Sequence, residues 1–215
     1  MMNWPLIQNS LLVAGITTVF STLLGIFSAL WLAGLERRWR KFFLTFAILT
    51  LALPAFLVTN CWLDLLGLTG IWRSWLPLNI FSLGGTIWIL SLMNWPIPLF
   101  FVLASWRRLE QSQLEIDPLL TGNSLIKLLL IPTARTDIVQ AAVLTFVLAL
   151  NNFAVPAILQ VKVFPAEVWV NFNTTFDYQS ALKLCWPMIA APLLLLFLFR
   201  ERNVFWTAKR NEISA

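Results

Sequence analysis

Few side chains in this sequence could carry chemistry. Its 215 residues include no histidine, two cysteines and 10 acids. Without imidazole there is no Ser-His or Cys-His nucleophile, and no zinc site that needs a histidine ligand. Cys61 and Cys185 lie inside apolar runs, and two cysteines are too few for a disulfide framework. No G-x-x-x-x-G-K-[ST] run is present to cradle a nucleotide phosphate. No catalytic or metal-ligating set is expected. What remains is neutral and polar: Asn94, Asn151 and Asn152, together with Thr59 and Asn60, all set in otherwise apolar sequence. Amides in hydrocarbon need partners, so they face either another helix or a wet pathway. Asn94, Asn151 and Asn152 are the candidate pathway residues, and hydrogen bonding between helices is the competing reading.

The other informative stretch is RRLEQSQLEIDPLLTGNSLIKLLLIP, positions 107–132. Asp117-Pro118 is a helix-start signal, with the carboxylate as cap and proline in the first helical position. Gly122 can end that turn, and Ser124 can cap the run that follows. The segment reads as short helices at a membrane surface, with Leu119 and Leu120 available to dock on a partner. A solvated connecting loop is the plainer alternative.

These residues must be positioned by membrane spans. Hydrophobic residues make up 59% of the chain and charged ones 12%, with mean hydropathy +0.79. A soluble domain carries about 25% charged residues, so a bilayer is the better solvent for this much apolar surface. A span needs about 20 apolar residues. Five such stretches occur, near 10–34, 42–66, 81–105, 136–160 and 184–199. The first has no basic residue before it and is too long for a cleavable signal peptide. The expected fold is an all-α integral membrane bundle of about five helices, forming one domain over 1–215.

Basic residues set the orientation. Twelve of the 15, including Arg37, Arg38, Arg40, Lys41, Arg107 and Arg108, fall in loops on one side, and only Arg73, Lys162 and Lys183 on the other. Lysine and arginine mark the cytoplasmic side, which puts the amino terminus outside and the carboxyl terminus inside. Dragging the Arg37–Lys41 cluster to the bilayer centre would cost on the order of 10 kcal/mol. The high pI, near 9.8, thus reflects topology and implies no nucleic-acid partner. Most tryptophans fall near the two boundaries, as interfacial belts do; Trp88 and Trp95 lie inside the third span. Pro54, Pro96, Pro98, Pro156, Pro187 and Pro192 interrupt four spans, as in a bundle of bent helices around a cavity. Ala14, Thr18, Thr22, Gly25 and Ala29 form a small-residue stripe on the first span, which lets another helix approach closely.

The 107–132 segment and its flanks resemble the permease subunits of binding-protein-dependent ABC importers. Leu114, Glu115 and Gly122 match the start of that family's cytoplasmic motif, and Ile131-Pro132 matches its end. Asp117 and Pro118 stand where the motif has two alanines, and the glycine-to-proline interval is about three residues short. LALPAFLVTNCWLDLLG, LTFVLALNNFAVPAIL and FNTTFDYQSALKLCWPMI are similar to helices of the iron(III)-type branch. The resemblance covers roughly 10–202 and implies a non-enzymatic, multi-pass subunit of a bacterial-type inner membrane. Its implied partners are a cytoplasmic ABC ATPase, a second permease half (identical or homologous), an extracytoplasmic solute-binding protein and membrane lipid. ATP would be bound by the ATPase alone, and this chain would bind no cofactor. Glu115, Asp117, Pro118, Leu119, Leu120 and Gly122 would form the ATPase-coupling loop, and iron(III) or a similar small solute is the branch-level expectation.

Two other classes compete. A membrane hydrolase needs an acid pair or activated nucleophile at membrane depth, and Asp64 and Asp137 fall at opposite faces on this topology. A non-transporting scaffold would differ from a permease in leaving the inner loop without an ATPase.

Overall fold

The computed structural model describes residues 4–75, 79–107 and 125–175, with isolated positions between 179 and 197. The described residues are helical and carry no strand. In chain order the helices are α1 (Trp4–Ala33), α2 (Arg37–Ala52), α3 (Ala55–Leu66), α4 (Leu83–Asn94), α5 (Pro96–Trp106), α6 (Ile131–Asn151), α7 (Ala154–Ile158) and α8 (Phe164–Val170). Three helical stretches are long and apolar enough to cross a membrane: Trp4–Ala33, Leu83–Trp106 and Ile131–Ile158. They correspond to the first, third and fourth expected spans. Of the fifth, 184–199, nine positions are described, and all nine are helical.

α1 is the central post. Its inward stripe is Val13, Ala14, Thr17, Ser21, Gly25, Ala29 and Leu32, while Phe20, Leu23 and Phe27 face outward. Small side chains on the stripe let α1 touch α4, α5 and α6 together. α6 runs antiparallel to it, with Ala14 beside Ala149 and Leu150 at one end and Ala29 and Leu32 beside Ala134 at the other. The α4–α5 unit runs parallel: Ser21 Oγ donates to the Ser91 carbonyl, 3.3 Å away, and Gly25 faces Pro98 and Leu99.

Local sequence explains the breaks. Ser82 caps α4, its Oγ accepting from the Gly85 N–H at 3.2 Å. Gly85 is obligatory there, because a Cβ would run into the Ile80 carbonyl. Pro96 and Pro98 start α5 anew after Trp95. The second expected span is not one helix. α2 and α3 meet at 103°, because Leu53 and Pro54 are both extended and Pro54 has no N–H for the turn before it. The bent pair still reaches from one end of α1 to the other. Phe43 and Leu44 pack in the cluster at the Ala33 end of α1, and Leu66 in the cluster at the Trp4 end.

Between those two clusters lies a waist of hydroxyls and small residues. Thr17, Ser91 and Thr145 are buried there, and with Thr22 their hydroxyls have no hydrogen-bond partner. An unpartnered buried hydroxyl is a net cost. Thr145→Val, which keeps the shape, should therefore leave stability unchanged or raise it by up to about 1 kcal/mol; a fall in melting temperature in detergent would show that the hydroxyl is paired.

Candidate functional site

Residues 108–124 lie outside the described residues, and with them Glu115, Asp117, Pro118, Leu119, Leu120 and Gly122. The points where this loop leaves and rejoins the bundle are described. Trp106, at the end of α5, donates its indole N–H to the Leu130 carbonyl at 2.9 Å. Ser105 Oγ lies 3.3 Å from the Thr133 carbonyl and donates to it. Two side-chain bonds thus staple the loop's exits together at the Ala33 end. On the return side Ile126–Leu130 forms a π turn, closed by the Ile131 N–H on the Ile126 carbonyl. Pro132 follows immediately and cannot donate to the carbonyl four residues back, so the register slips by one residue before α6 proceeds. Trp106→Phe keeps the ring and removes the N–H. It should lower stability by about 1 kcal/mol, read as a drop in melting temperature in detergent, and loosen the exits without unfolding the bundle.

The three candidate pathway amides do not meet. Asn94 is half-buried at the end of α4, where the α4–α5 unit breaks. Asn151 ends α6, is exposed, and donates Nδ2 to the Val147 carbonyl at 2.8 Å, a bond that uses one of its two amide hydrogens. Asn152 is extended, and its Oδ1 accepts from the Val155 N–H at 3.1 Å. It therefore holds the first turn of α7 from the position before the N-cap, Phe153, and Pro156 lies in that short helix. Set against α1, Asn94 is level with a point two-thirds along it and Asn151 with its first third, about 15 Å apart along the axis. Asn152→Ala should cost about 1 kcal/mol through the lost bond to that first turn, whereas Asn151→Ala should be near neutral; thermal melts of both variants test the difference.

α3 adds polar groups that hydropathy alone passes over. Leu57, Asn60, Cys61 and Asp64 are exposed together, with Asn60 and Asp64 one turn apart. Their i, i+4 spacing was the signal available in the sequence. α3 packs against α7, the helix whose first turn Asn152 holds. Nearby, Phe153 and Trp169 stack with centroids 6.1 Å apart, both exposed. The Trp4 end is locked by Ser10, which donates to the Leu6 carbonyl and accepts from the Phe164 N–H, and by Asn9, which donates to the Lys162 carbonyl. A cavity of about 390 Å³ opens there between Leu66, Ile80, Gly84 and Trp88. A groove of about 260 Å³ lies between Thr18, Val143, Phe146 and Leu195. None of the three amides lines either. Among the described residues, no three histidine, cysteine or acidic side chains gather where they could hold a metal ion.

No protein-family model and no curated protein matches the chain. Solved structures do. The chain is similar to one from a bacterial ABC transporter involved in the import of the acidic polysaccharide alginate. That match has TM-score 0.72 and 16% identity, over 91% of this chain and 76% of the other. It is also similar to a chain of an amino acid ABC transporter with histidines, at TM-score 0.69 and 13% identity, over 91% and 90% of the two chains. A third likeness is to a chain of a bacterial alginate ABC transporter in complex with an alginate pentasaccharide-bound periplasmic protein. Its TM-score is 0.67 at 15% identity, over 90% and 75%. At such identities it is the fold that is shared: an all-helical bundle of the kind found in the membrane subunits of ABC importers.

Proposed function

We propose that this chain is a transmembrane permease subunit of an ATP-driven ABC importer. The observation that carries the reading is the shared fold, which extends over nine-tenths of the chain. The stapled exits of the 108–124 segment support it, since a loop that transmits force needs fixed ends. In this reading the amino terminus is outside, and the segment carrying Glu115, Asp117, Pro118, Leu119, Leu120 and Gly122 meets a cytoplasmic ATPase. A second permease half completes the pathway. A solute-binding protein delivers the cargo, as the periplasmic protein in one similar structure suggests. ATP binds in the ATPase.

Asn94, Asn151 and Asn152 then border the pathway at successive depths, and Asn60 and Asp64 stand at its Trp4 end. An exposed amide or carboxylate on an apolar bundle is tolerated only against water or protein, which favours a wet face there over a lipid-facing one. For the cargo, the resemblance of three segments to the iron(III)-type branch points to iron(III) or a similar small solute.

The test is a mild-detergent pull-down of the chain from its native membrane, with mass spectrometry of what accompanies it. An ATPase should be recovered, together with either a second permease chain or only this one. Replacing 115–122 by a Gly/Ser linker of equal length should abolish ATPase recovery while the bundle stays monodisperse. Asp117→Ala with Pro118→Ala should retain it, since alanines restore the family's usual helix. A folded chain that brings down no ATPase would refute the importer reading and favour a scaffold.

A further inference from the structure

The start of α2 carries a charge cluster that the importer reading does not use. Arg37, Arg38, Arg40 and Lys41 occupy four of its first five positions, directly after the short turn from α1. Within 34–52 the one carboxylate is Glu36, whose side chain makes no capping bond. The cations also stand at the wrong end of their helix. Free N–H groups and the macrodipole already make an amino-terminal end positive, and four more charges add to that field. Orientation of the span by basic residues accounts for charge on this side, but for no particular arrangement of it.

The arrangement is specific. Arg37, Arg38 and Lys41 are exposed and Arg40 is half-buried. Interleaved with them is a ring cluster: Trp31 meets Phe43 edge-on at 4.6 Å, Phe43 meets Phe42 at 5.6 Å, and Phe42 meets Trp39 at 6.4 Å. Tryptophan beside cations marks the headgroup level of a bilayer. From Arg38 an exposed line continues down one face of α2 through Phe42, Phe46 and Leu49. Phe42 is 61% and Phe46 54% exposed. A free phosphate would use the cations and leave this apolar track idle.

We infer that the start of α2 is a binding site for an anionic phospholipid. The headgroup phosphate is held by Arg38 with Arg37 and Lys41, and an acyl chain lies along Phe42, Phe46 and Leu49. The chemistry matches on both counts: clustered cations next to a membrane segment attract anionic lipid, and an exposed apolar line accepts hydrocarbon.

The experiment uses the full-length protein, purified in mild detergent and delipidated. Its melting temperature is followed while phosphatidylglycerol, phosphatidylcholine or inorganic phosphate is added. Phosphatidylglycerol should raise it by several degrees, with the effect shrinking in high salt, and the other two should not. Arg38→Gln with Lys41→Gln keeps Arg37 and Arg40 to hold the orientation, and should remove most of the rise. Phe46→Ser should weaken the lipid effect and keep its salt dependence. Native mass spectrometry of the wild-type protein should retain phosphatidylglycerol, which keeps the test decisive should a variant fail to fold. Equal stabilisation by phosphatidylcholine, full reproduction by phosphate, or no retained lipid would overturn the proposal. So would an α2 face closed by a second chain, seen as a dimer that Phe46→Ser dissociates without changing the lipid response.

Discussion

Replacing Gly25 by valine should abolish the folded bundle, and replacing it by alanine should cost on the order of 2 kcal/mol. An added Cβ would sit 2.7 Å from Pro98 Cγ and 2.8 Å from the Leu99 backbone nitrogen. Backbone cannot swing aside as the end of a long side chain can, so α1 and α5 would have to separate, and Leu99 and Val102, both fully buried, would lose their packing. Gly15 is the internal control. It lies in the same helix, and a Cβ there meets nothing within 4 Å, so Gly15→Ala should gain about 0.5–1 kcal/mol from helix propensity. Melting temperatures of the two alanine variants in one detergent should move in opposite directions. Equal shifts would mean that α1 and α5 are not in contact at Gly25.

A spin label on the native, exposed Cys61 and another at Lys41→Cys, with Cys185→Ala, should report a separation of about 19 Å. A straight helix between those positions would give about 30 Å. The shorter value follows from the 103° bend between α2 and α3. Pro54→Leu restores the missing N–H and should shift the distance distribution toward the longer value. The variant should also lose function more than stability, because α3 would leave its contact with α7 and take Asn60 and Asp64 with it. A wild-type distance near 30 Å would show that the span is straight.

Much of the architecture was legible in the sequence, for definite reasons. Twenty-residue apolar runs have few fates, so three helices long and apolar enough to span lie near the expected places, and α1 simply begins earlier, at Trp4. The small-residue stripe announced a close approach, but which backbone would meet Gly25 depends on where Pro98 falls after the break at Trp95, a tertiary matter. Pro54 announced a bend. Its size is set by what α3 packs against, which no local signal contains. The Asn151-Asn152 pair stood out as amides at membrane depth, yet both make helix-end bonds within five residues of themselves. An asparagine three residues before Val155, with Pro156 next, is a helix-start pattern that could have suggested it. Asp64 enters the sequence reading only as an acid opposite Asp137. Its i, i+4 spacing from Asn60 already placed the two on one helix face, and the structure shows that this face is exposed.

The hydroxyl-lined waist bears on how such a chain drifts over generations. At Thr17, Ser21, Ser91 and Thr145 the limit is volume: each is buried where helices nearly touch, whereas Gly25 tolerates no side chain at all. The hydroxyls of Thr17, Ser91 and Thr145 are bound to nothing, so polarity at these positions is open to change. A hydroxyl with no partner can give way to an apolar group of the same shape wherever size alone is policed. Lineages that keep the helix spacing can therefore exchange letters here freely, and the lipid-facing residues, held only to being apolar, can do the same. Identity can then fall far while the spacing of the backbones stays put, and the solved bundles of like fold share only 13–16% of their residues with this chain.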